Sequence, residues 1–542
     1  MAFGRPTRRQ FLGQASVLAT GCLGTPLRSA DRLGGLLNGQ PQAAEAGLAV
    51  LAAGGNAVDA AVCAALVAGV VAVPSCGIGG YGGHLVIANP GGKVTAIDFN
   101  SAAPAAAKPD MFTADEKGVV KGQVNNFGWL AAGVPGTLAG LQLAIDKFGT
   151  KKFAELVRPA IRYAREGFPV TQGFANAIKT AKDRFAKDPG SAKLFLPKGV
   201  PPAEGSTFRN PDLADLLQAL ADKGRVDDFY TGRIAEKVAA AFRQHGGLVT
   251  AEDMAAYKAV EITPLALASQ KYTIHTPPPT AGGLTVLQAV AILKELKWQD
   301  HDPKEPATVH ARVEALRIAW GDRLRLLGDP KYADVPVEKL LSDKYVRDAA
   351  ERVAAAVRDK RPVDTKAERR TAGGTIHLNA IDASGMAVAI TLTHGNSFGA
   401  QVTVDGLGLV LGHGMSRFDP RPGRPNSVGP GKRPLHNMCP TVVTREGTPV
   451  IALGATGGRR IVNTVFDVLA YRLGEGKPLA DSIKAPRVHT EGDLDLTLEK
   501  DWPAGVVERF REIGFAVKAG GAATASAIER DPKTGTLEAA RR

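Results

Sequence analysis

With 542 residues, 44% of them hydrophobic and 22% charged, the chain has an ordinary globular composition. It is long enough to bury one large layered core or several smaller ones. The net charge of +13 comes from scattered basic residues; with 6% aromatics, no basic helix and no nucleic-acid motif, it excludes nucleic-acid binding. A basic surface still favours anionic substrates or a membrane-facing periplasmic position.

The first 34 residues read as an export leader. Thr7-Arg8-Arg9-Gln10-Phe11-Leu12 resembles a twin-arginine signal, and a modest apolar run over 15–23 follows it. That run is too short and too rich in Gly and Thr to span a bilayer, and no later segment reads as transmembrane. Ala19-Thr20-Gly21-Cys22 is an imperfect lipoprotein-type site, which leaves a lipid anchor on Cys22 as the minor alternative. The remaining cysteines, Cys63, Cys76 and Cys439, are odd in number and lack metal-site spacing; Cys63 lies in an apolar helix and reads as a buried free thiol.

Residues 41–52 and 57–73 are Ala-rich and apolar nearly all round, which predicts two buried helices broken at Gly54-Gly55. Residues 84–89, the turn Pro90-Gly91-Gly92-Lys93, and 94–98 read as strand, turn and strand. Residues 137–148 and 152–166 predict amphipathic helices, and 171–357 a mostly helical stretch with polar connections. A charged loop over 360–372 suits a segment that becomes a mobile chain end after cleavage. Beyond it, strands are predicted at 375–381, 386–393, 449–453 and 522–529, with helices at 461–473 and 507–513.

Gly77-Ile78-Gly79-Gly80-Tyr81-Gly82 formally matches a dinucleotide fingerprint, but that motif needs a strand before it and a helix after it. Here the order is reversed, so a nucleotide cofactor is rejected. The ten histidines include no H-E-x-x-H and no cluster with ligand spacing, so neither a metal nor any other cofactor is expected. No G-x-S-x-G nucleophile elbow occurs either.

Two stretches carry chemistry. A cut between Gly374 and Thr375 would give Thr375 both a hydroxyl nucleophile and a free α-amine. Such an amine titrates at ~7.7–8.0, so near neutral pH it can accept the hydroxyl proton. Gly374 suits the cut, because a missing Cβ lets the peptide twist and opens its carbonyl to attack. The second stretch, Gly454-Ala455-Thr456-Gly457-Gly458-Arg459-Arg460-Ile461, falls between a strand and a helix. Gly457 and Gly458 can aim two N–H groups at one point, the requirement of an oxyanion hole, with the helix dipole assisting.

From about Ala43 to Pro532 the chain resembles the γ-glutamyltransferase family of N-terminal-nucleophile (Ntn) hydrolases. The resemblance rests on Ala53-Gly54-Gly55-Asn56-Ala57-Val58-Asp59-Ala60-Ala61-Val62, Ser75-Cys76-Gly77-Ile78-Gly79-Gly80 and Val134-Pro135-Gly136-Thr137. It also rests on Phe229-Tyr230-Thr231-Gly232, Pro277-Pro278-Pro279-Thr280-Ala281-Gly282-Gly283 and Gly328-Asp329-Pro330. Thr375 with His377 fits the family's Thr-Thr-His, with Ile376 in place of the second threonine. The resemblance implies an α+β fold, a four-layer αββα sandwich whose precursor cleaves itself before Thr375. The large subunit would span 35–374 and the small subunit 375–542. It further implies Gly457-Gly458 as the oxyanion hole and Thr393 as support for the nucleophile's amine.

The departures concern the substrate. Where the family grips an α-carboxylate with arginine, this chain has Asn100; where paired serines follow Arg-Pro-Leu, it has His436 and Asn437. His413-Gly414-Met415-Ser416-Arg417-Phe418 replaces Asn-Gln-Met-Asp-Asp-Phe, so Arg417 stands where an acid receives the substrate's ammonium, and Gly395 replaces a substrate-side asparagine. The expected reading is an exported, periplasmic amidohydrolase or acyltransferase acting on a small-molecule amide. Its acyl group would carry a carboxylate but no α-amino group, as in a dicarboxylate monoamide; by resemblance, oxamate amidohydrolase is a precedent. Two alternatives stand beside it: an ordinary glutathione hydrolase or transpeptidase with a rearranged glutamyl site, and a catalytically silent binding relative.

Overall fold

A computed structural model describes residues 34–116, 118–365, 374–521 and 523–542. The export leader, Cys22 and most of the charged stretch before Gly374 lie outside the described residues. In chain order, β1 (Gly35–Asn38) leads to α1 (Pro41–Ala52), α2 (Ala57–Val71), β2 (Gly82–Ala88) and β3 (Val94–Asp98). Then come α3 (Thr137–Phe148), α4 (Phe153–Leu156) and α5 (Arg158–Glu166). The predicted single helix over 152–166 is therefore two, parted where Pro159 enters the first turn of α5 and cannot donate a helical hydrogen bond.

The predominantly helical middle also holds three short strands that periodicity did not reveal: β4 (Val260–Ile262), β5 (Leu265–Ser269) and β6 (Tyr272–Thr276). Helices α6 (Gly283–Glu295), α7 (Pro306–Leu326) and α8 (Asp343–Arg358) complete this part. The last third supplies β7 (Gly374–Asp382), β8 (Ala387–Gly395), β9 (Thr441–Arg445), β10 (Thr448–Thr456), α9 (Arg460–Leu469), β11 (Thr524–Arg530) and β12 (Leu537–Arg541). Helix α9 is shorter than predicted, because its end widens into a π turn over Ala470–Gly474.

Two six-stranded antiparallel sheets result. One has the order β1-β7-β8-β2-β3-β4, the other β12-β11-β10-β9-β6-β5. Their facing sides meet in a dry layer where Val86, Ala88, Ile381 and Ala389 of the first sheet pack on Val442, Ala452 and Ile528 of the second. The outer face of the first sheet is covered by α1, α2 and α3, that of the second by α6, α7, α8 and α9. This is the predicted four-layer αββα sandwich, and burial on both sides explains why α2 is apolar all round.

Local chemistry anchors the first layer. Asn56 caps α2 by accepting from the Asp59 N–H, and Asp59 returns the bond to the Asn56 N–H. Asp382, at the end of β7, places a carboxylate oxygen 2.9 Å from the Ala57 N–H, at the positive end of the same helix. The described cysteines are free and buried, and burial pushes the Cys63 thiol up to about 12. Among the described residues, no helix is long and apolar enough to cross a membrane.

Candidate active site

Strand β7 opens the site. Its residues pair regularly with β8 up to Ile376 opposite Leu392, and the next pair is Gly374 opposite Gly395. Thr375 alone therefore faces both Thr393 and His394, a two-against-one bulge. Bulges of this kind bend a strand and re-aim a side chain, and they are frequent beside active sites. The Thr375 hydroxyl donates to Thr393 Oγ1 at 3.3 Å, and the Gly395 N–H holds that same oxygen at 2.7 Å. Thr393 is thus fixed by the backbone and oriented toward Thr375. Thr375 is only 4% exposed.

His377 anchors the strand from below. Asn379 Oδ1 can only accept, so His377 Nε2–H donates to it at 2.9 Å while Nδ1 accepts from the Thr391 hydroxyl at 2.7 Å. Burial lowers His377 to about 4, which keeps it neutral. Asn379 in turn donates to the Ser526 carbonyl at 3.0 Å, tying the two sheets together. The His377 ring lies against Gly454 of β10, where an added Cβ would come within 2.2 Å of it. Only glycine admits so close an approach.

Strand β10 passes Ala452 in the inter-sheet layer, Gly454 over His377, and ends at Thr456. Gly457 and Gly458 follow at φ +144° and +63°, and α9 begins at Arg460. The predicted strand, Gly-Gly turn and helix start are therefore present, at the same end of the sandwich as Thr375. Gly77–Gly82 likewise lies between α2 and β2, the reverse of a nucleotide fingerprint.

A cavity of about 440 Å³ adjoins this end, lined among others by Asn396, His413, Arg417, Asn437, Arg323 and Arg459. Asn396 is next to Gly395 and Arg459 is next to Gly458, so the cavity touches both flanks of the candidate centre. Two of the four substrate-binding expectations, Arg417 and Asn437, are thus brought together. The other two, Asn100 and His436, are buried and do not line this cavity, and neither do Thr375, Thr393, Gly457 or Gly458. The Asn100 amide nitrogen donates to Thr280 Oγ1 at 3.0 Å and to the Pro434 carbonyl at 2.7 Å, while its Oδ1 is buried without a hydrogen-bond partner among the described residues. The His436 ring lies 4.7 Å from that of His84, and its carbonyl accepts from Arg323.

The cavity's charges differ in availability. Arg459 is paired with Glu491, which also accepts from His489. Burial raises the Glu491 carboxyl, but His489 and Arg459 outweigh it and hold the group below its usual range. Asp419 is engaged by Arg421 and Arg424. Arg417 donates to a neutral group, His413 Nε2 at 3.2 Å, beside the buried Tyr81 hydroxyl, and Arg323 donates to the Ala281 and His436 carbonyls. Arg323, His413 and Tyr81 were not among the sequence candidates. A charged residue on a long helix looks the same in sequence whether solvated or buried, so Arg323 carried no signal. For His413, the signal was its joint departure from the family pattern with Gly395.

The sequence model of the gamma-glutamyltranspeptidase family matches residues 43–541. The chain is 35% identical over 492 residues to the glutathione hydrolase proenzyme of Escherichia coli strain K12, spanning 88% of this chain and 84% of that protein. It is 34% identical over 500 residues to the acylase ACY 1 proenzyme of Pseudomonas sp. strain SE83, with 89% and 87% spanned. Among solved structures, a cephalosporin acylase from Bacillus halodurans superposes with a TM-score of 0.84 at 25% identity, over 100% of this chain and 96% of that one. A gamma-glutamyltranspeptidase from Helicobacter pylori superposes with a TM-score of 0.54 at 33% identity, over 62% and 93%.

Proposed function

The chain belongs to the gamma-glutamyltranspeptidase family of Ntn hydrolases, and we propose that it cleaves itself before Thr375 and then hydrolyses the amide of a carboxylate-bearing acyl group that lacks an α-amino substituent. In this reading the Thr375 hydroxyl attacks the amide carbonyl, and its freed α-amine takes the hydroxyl proton and passes it to the departing amine. The Gly457 and Gly458 N–H groups stabilise the oxyanion, a contribution of about 3 kcal/mol for one such donor in comparable sites. Water, or an acceptor amine, then attacks the threonine ester and restores the hydroxyl. The Thr375–Thr393–Gly395 hydrogen bonds and the bulge that isolates Thr375 support the nucleophile's assignment.

The observation that carries the substrate class is Arg417, a cation on the cavity wall whose described partners are neutral. An arginine fork suits a carboxylate and repels an ammonium, so a γ-glutamyl donor meets a like charge there. Of the other cations on this wall, Arg459 is paired with Glu491, Arg421 with Asp419, and Arg323 donates to the Ala281 and His436 carbonyls. Relatives named acylase, beside those named glutathione hydrolase, are in keeping with a family scaffold that accepts different acyl groups.

Two measurements test the reading. Purified wild-type protein should give two chains, the smaller beginning at Thr375, whereas Thr375→Ala should stay as one chain without activity. Any other N-terminus sinks the nucleophile's assignment. Glutaryl anilide should then exceed γ-glutamyl anilide in kcat/KM by about tenfold or more, roughly 1.4 kcal/mol, and Arg417→Asp should reverse that order. A wild-type preference for the γ-glutamyl compound refutes the substrate class.

A further inference from the structure

We propose that His413 is a positioning residue that holds the Arg417 guanidinium in place for the acyl carboxylate, and that Gly395 is the residue that makes room for it. The inference rests on the reading of Arg417 as the carboxylate's receptor.

Gly395 ends β8 with φ +95°, a conformation that favours glycine. A Cβ built there would lie 2.0 Å from Cδ2 and 2.1 Å from Nε2 of His413. The imidazole therefore occupies the space that a side chain at position 395 would fill. Tyr81 closes the same space, 3.1 Å from that imagined Cβ. The absent side chain at 395 and the histidine at 413 are one steric unit, although 18 residues separate them in sequence.

The ring's two nitrogens have different tasks. Arg417 Nη2 can only donate, so His413 Nε2, at 3.2 Å, must be the bare acceptor. The proton then sits on Nδ1, which donates to the Asn126 carbonyl at 3.2 Å. That carbonyl belongs to a loop that itself lines the cavity. Burial first, and then the Arg417 charge, lower His413 well below its usual value, with His394 acting in the same direction. The titratable and charged groups facing the ring are thus Arg417, His394 and Tyr81, and they keep it neutral and in the accepting tautomer. The bond from Nη2 to His413 restrains the guanidinium beside Tyr81, and with Nε buried its remaining Nη donors are what it offers a carboxylate.

A bland alternative is that His413 only fills the hole over Gly395. The two roles separate in KM, measured with glutaryl anilide and with butyryl anilide, which lacks the tail carboxylate. His413→Leu fills the space without an acceptor, and should raise KM for the glutaryl compound by about tenfold with kcat little changed. KM for the butyryl compound should stay where it is. Because leucine also strips the Asn126 carbonyl of its donor and can disturb folding, a second pair of variants carries the same test. His413→Gln keeps an acceptor within reach of Arg417 and should stay within about threefold of wild type, while the shorter His413→Asn should lose about tenfold. A wild type that prefers glutaryl over butyryl, with this preference unchanged in the leucine and asparagine variants, overturns the role of His413 alone. A wild type with no such preference overturns the Arg417 reading and this proposal together.

Discussion

His377 is a buried residue whose protonation state bears on the stability of the strand that opens at Thr375. Its neutral Nε2–H tautomer satisfies Asn379 and Thr391 at once. A second ring proton would face the Thr391 oxygen, which now donates, and would bring charge into a buried site. Burial lowers the folded pKa to about 4 from an ordinary 6.5, so the unfolded chain takes up the proton first. The stabilisation is therefore fully present above pH 6.5 and is lost as the pH falls through about 4, to a total on the order of 3 kcal/mol. The expected outcome is a Tm that declines between those limits, with a shallower decline in His377→Gln, which cannot titrate. Equal acid slopes for the two proteins, measured by thermal melts at stepped pH, would show that this histidine is not the group responsible.

Among elements, the contact between α7 and α9 joins helices from the two sides of Thr375. Arg312 on α7 is fully buried and donates to Asp467 on α9 at 2.7 Å, while the other Asp467 oxygen accepts from the Val488 N–H at 2.9 Å. The guanidinium also lies 4.4 Å from the centre of the Tyr471 ring. Burial opposes both charges. It pushes the Asp467 carboxyl up against the pull of Arg312 and Val488, while Tyr471 and Asp467 keep the guanidinium protonated. Removing one partner strands the other charge, so Arg312→Met should cost about 3–5 kcal/mol. Adding Asp467→Leu should recover much of that loss, because Asp467 is then no longer stranded and Glu475, the other partner of Arg312, keeps Lys477. Chemical unfolding midpoints of the single and double variants check this; a double variant as weak as the single one would place the cost in packing instead.

For the whole molecule, the proposed cut falls between strands that cannot separate. In the first sheet, β7 and β8 from one side of the cut lie between β1 and β2 from the other. In the second sheet, β9 pairs with β6 across the same divide. Both chains would therefore share two sheets and the dry layer between them. The expected outcome is that the two products of self-cleavage co-elute on gel filtration and part only in denaturant. Residues 375–542 produced alone should be insoluble, because their strand edges and one face of each sheet would be bare. Soluble, separately folded small chains would contradict the interlocked topology.

What the sequence by itself determined lies within short stretches of chain. The capped helix after Gly54-Gly55, the hairpin that opens at Thr375 and the strand, Gly-Gly turn and helix around Gly457 are written in periodicity and turn chemistry. Those signals act over a few residues, and the structure repeats them with small shifts at the ends. The strands from Val260 to Thr276, and β9, were not legible. They are short, and are strands only because partners far along the chain supply their hydrogen bonds. Charges were the least legible of all. Arg417 and Arg459 look alike in sequence, yet Glu491, 32 residues beyond Arg459, pairs with the second and leaves the first with neutral neighbours. Asn100 and His436, read as substrate contacts, are buried because Thr280, Pro434 and His84 converge on them. Which side chain lines a cavity and which disappears into the core is decided by contacts between distant segments, and only the tertiary structure makes them.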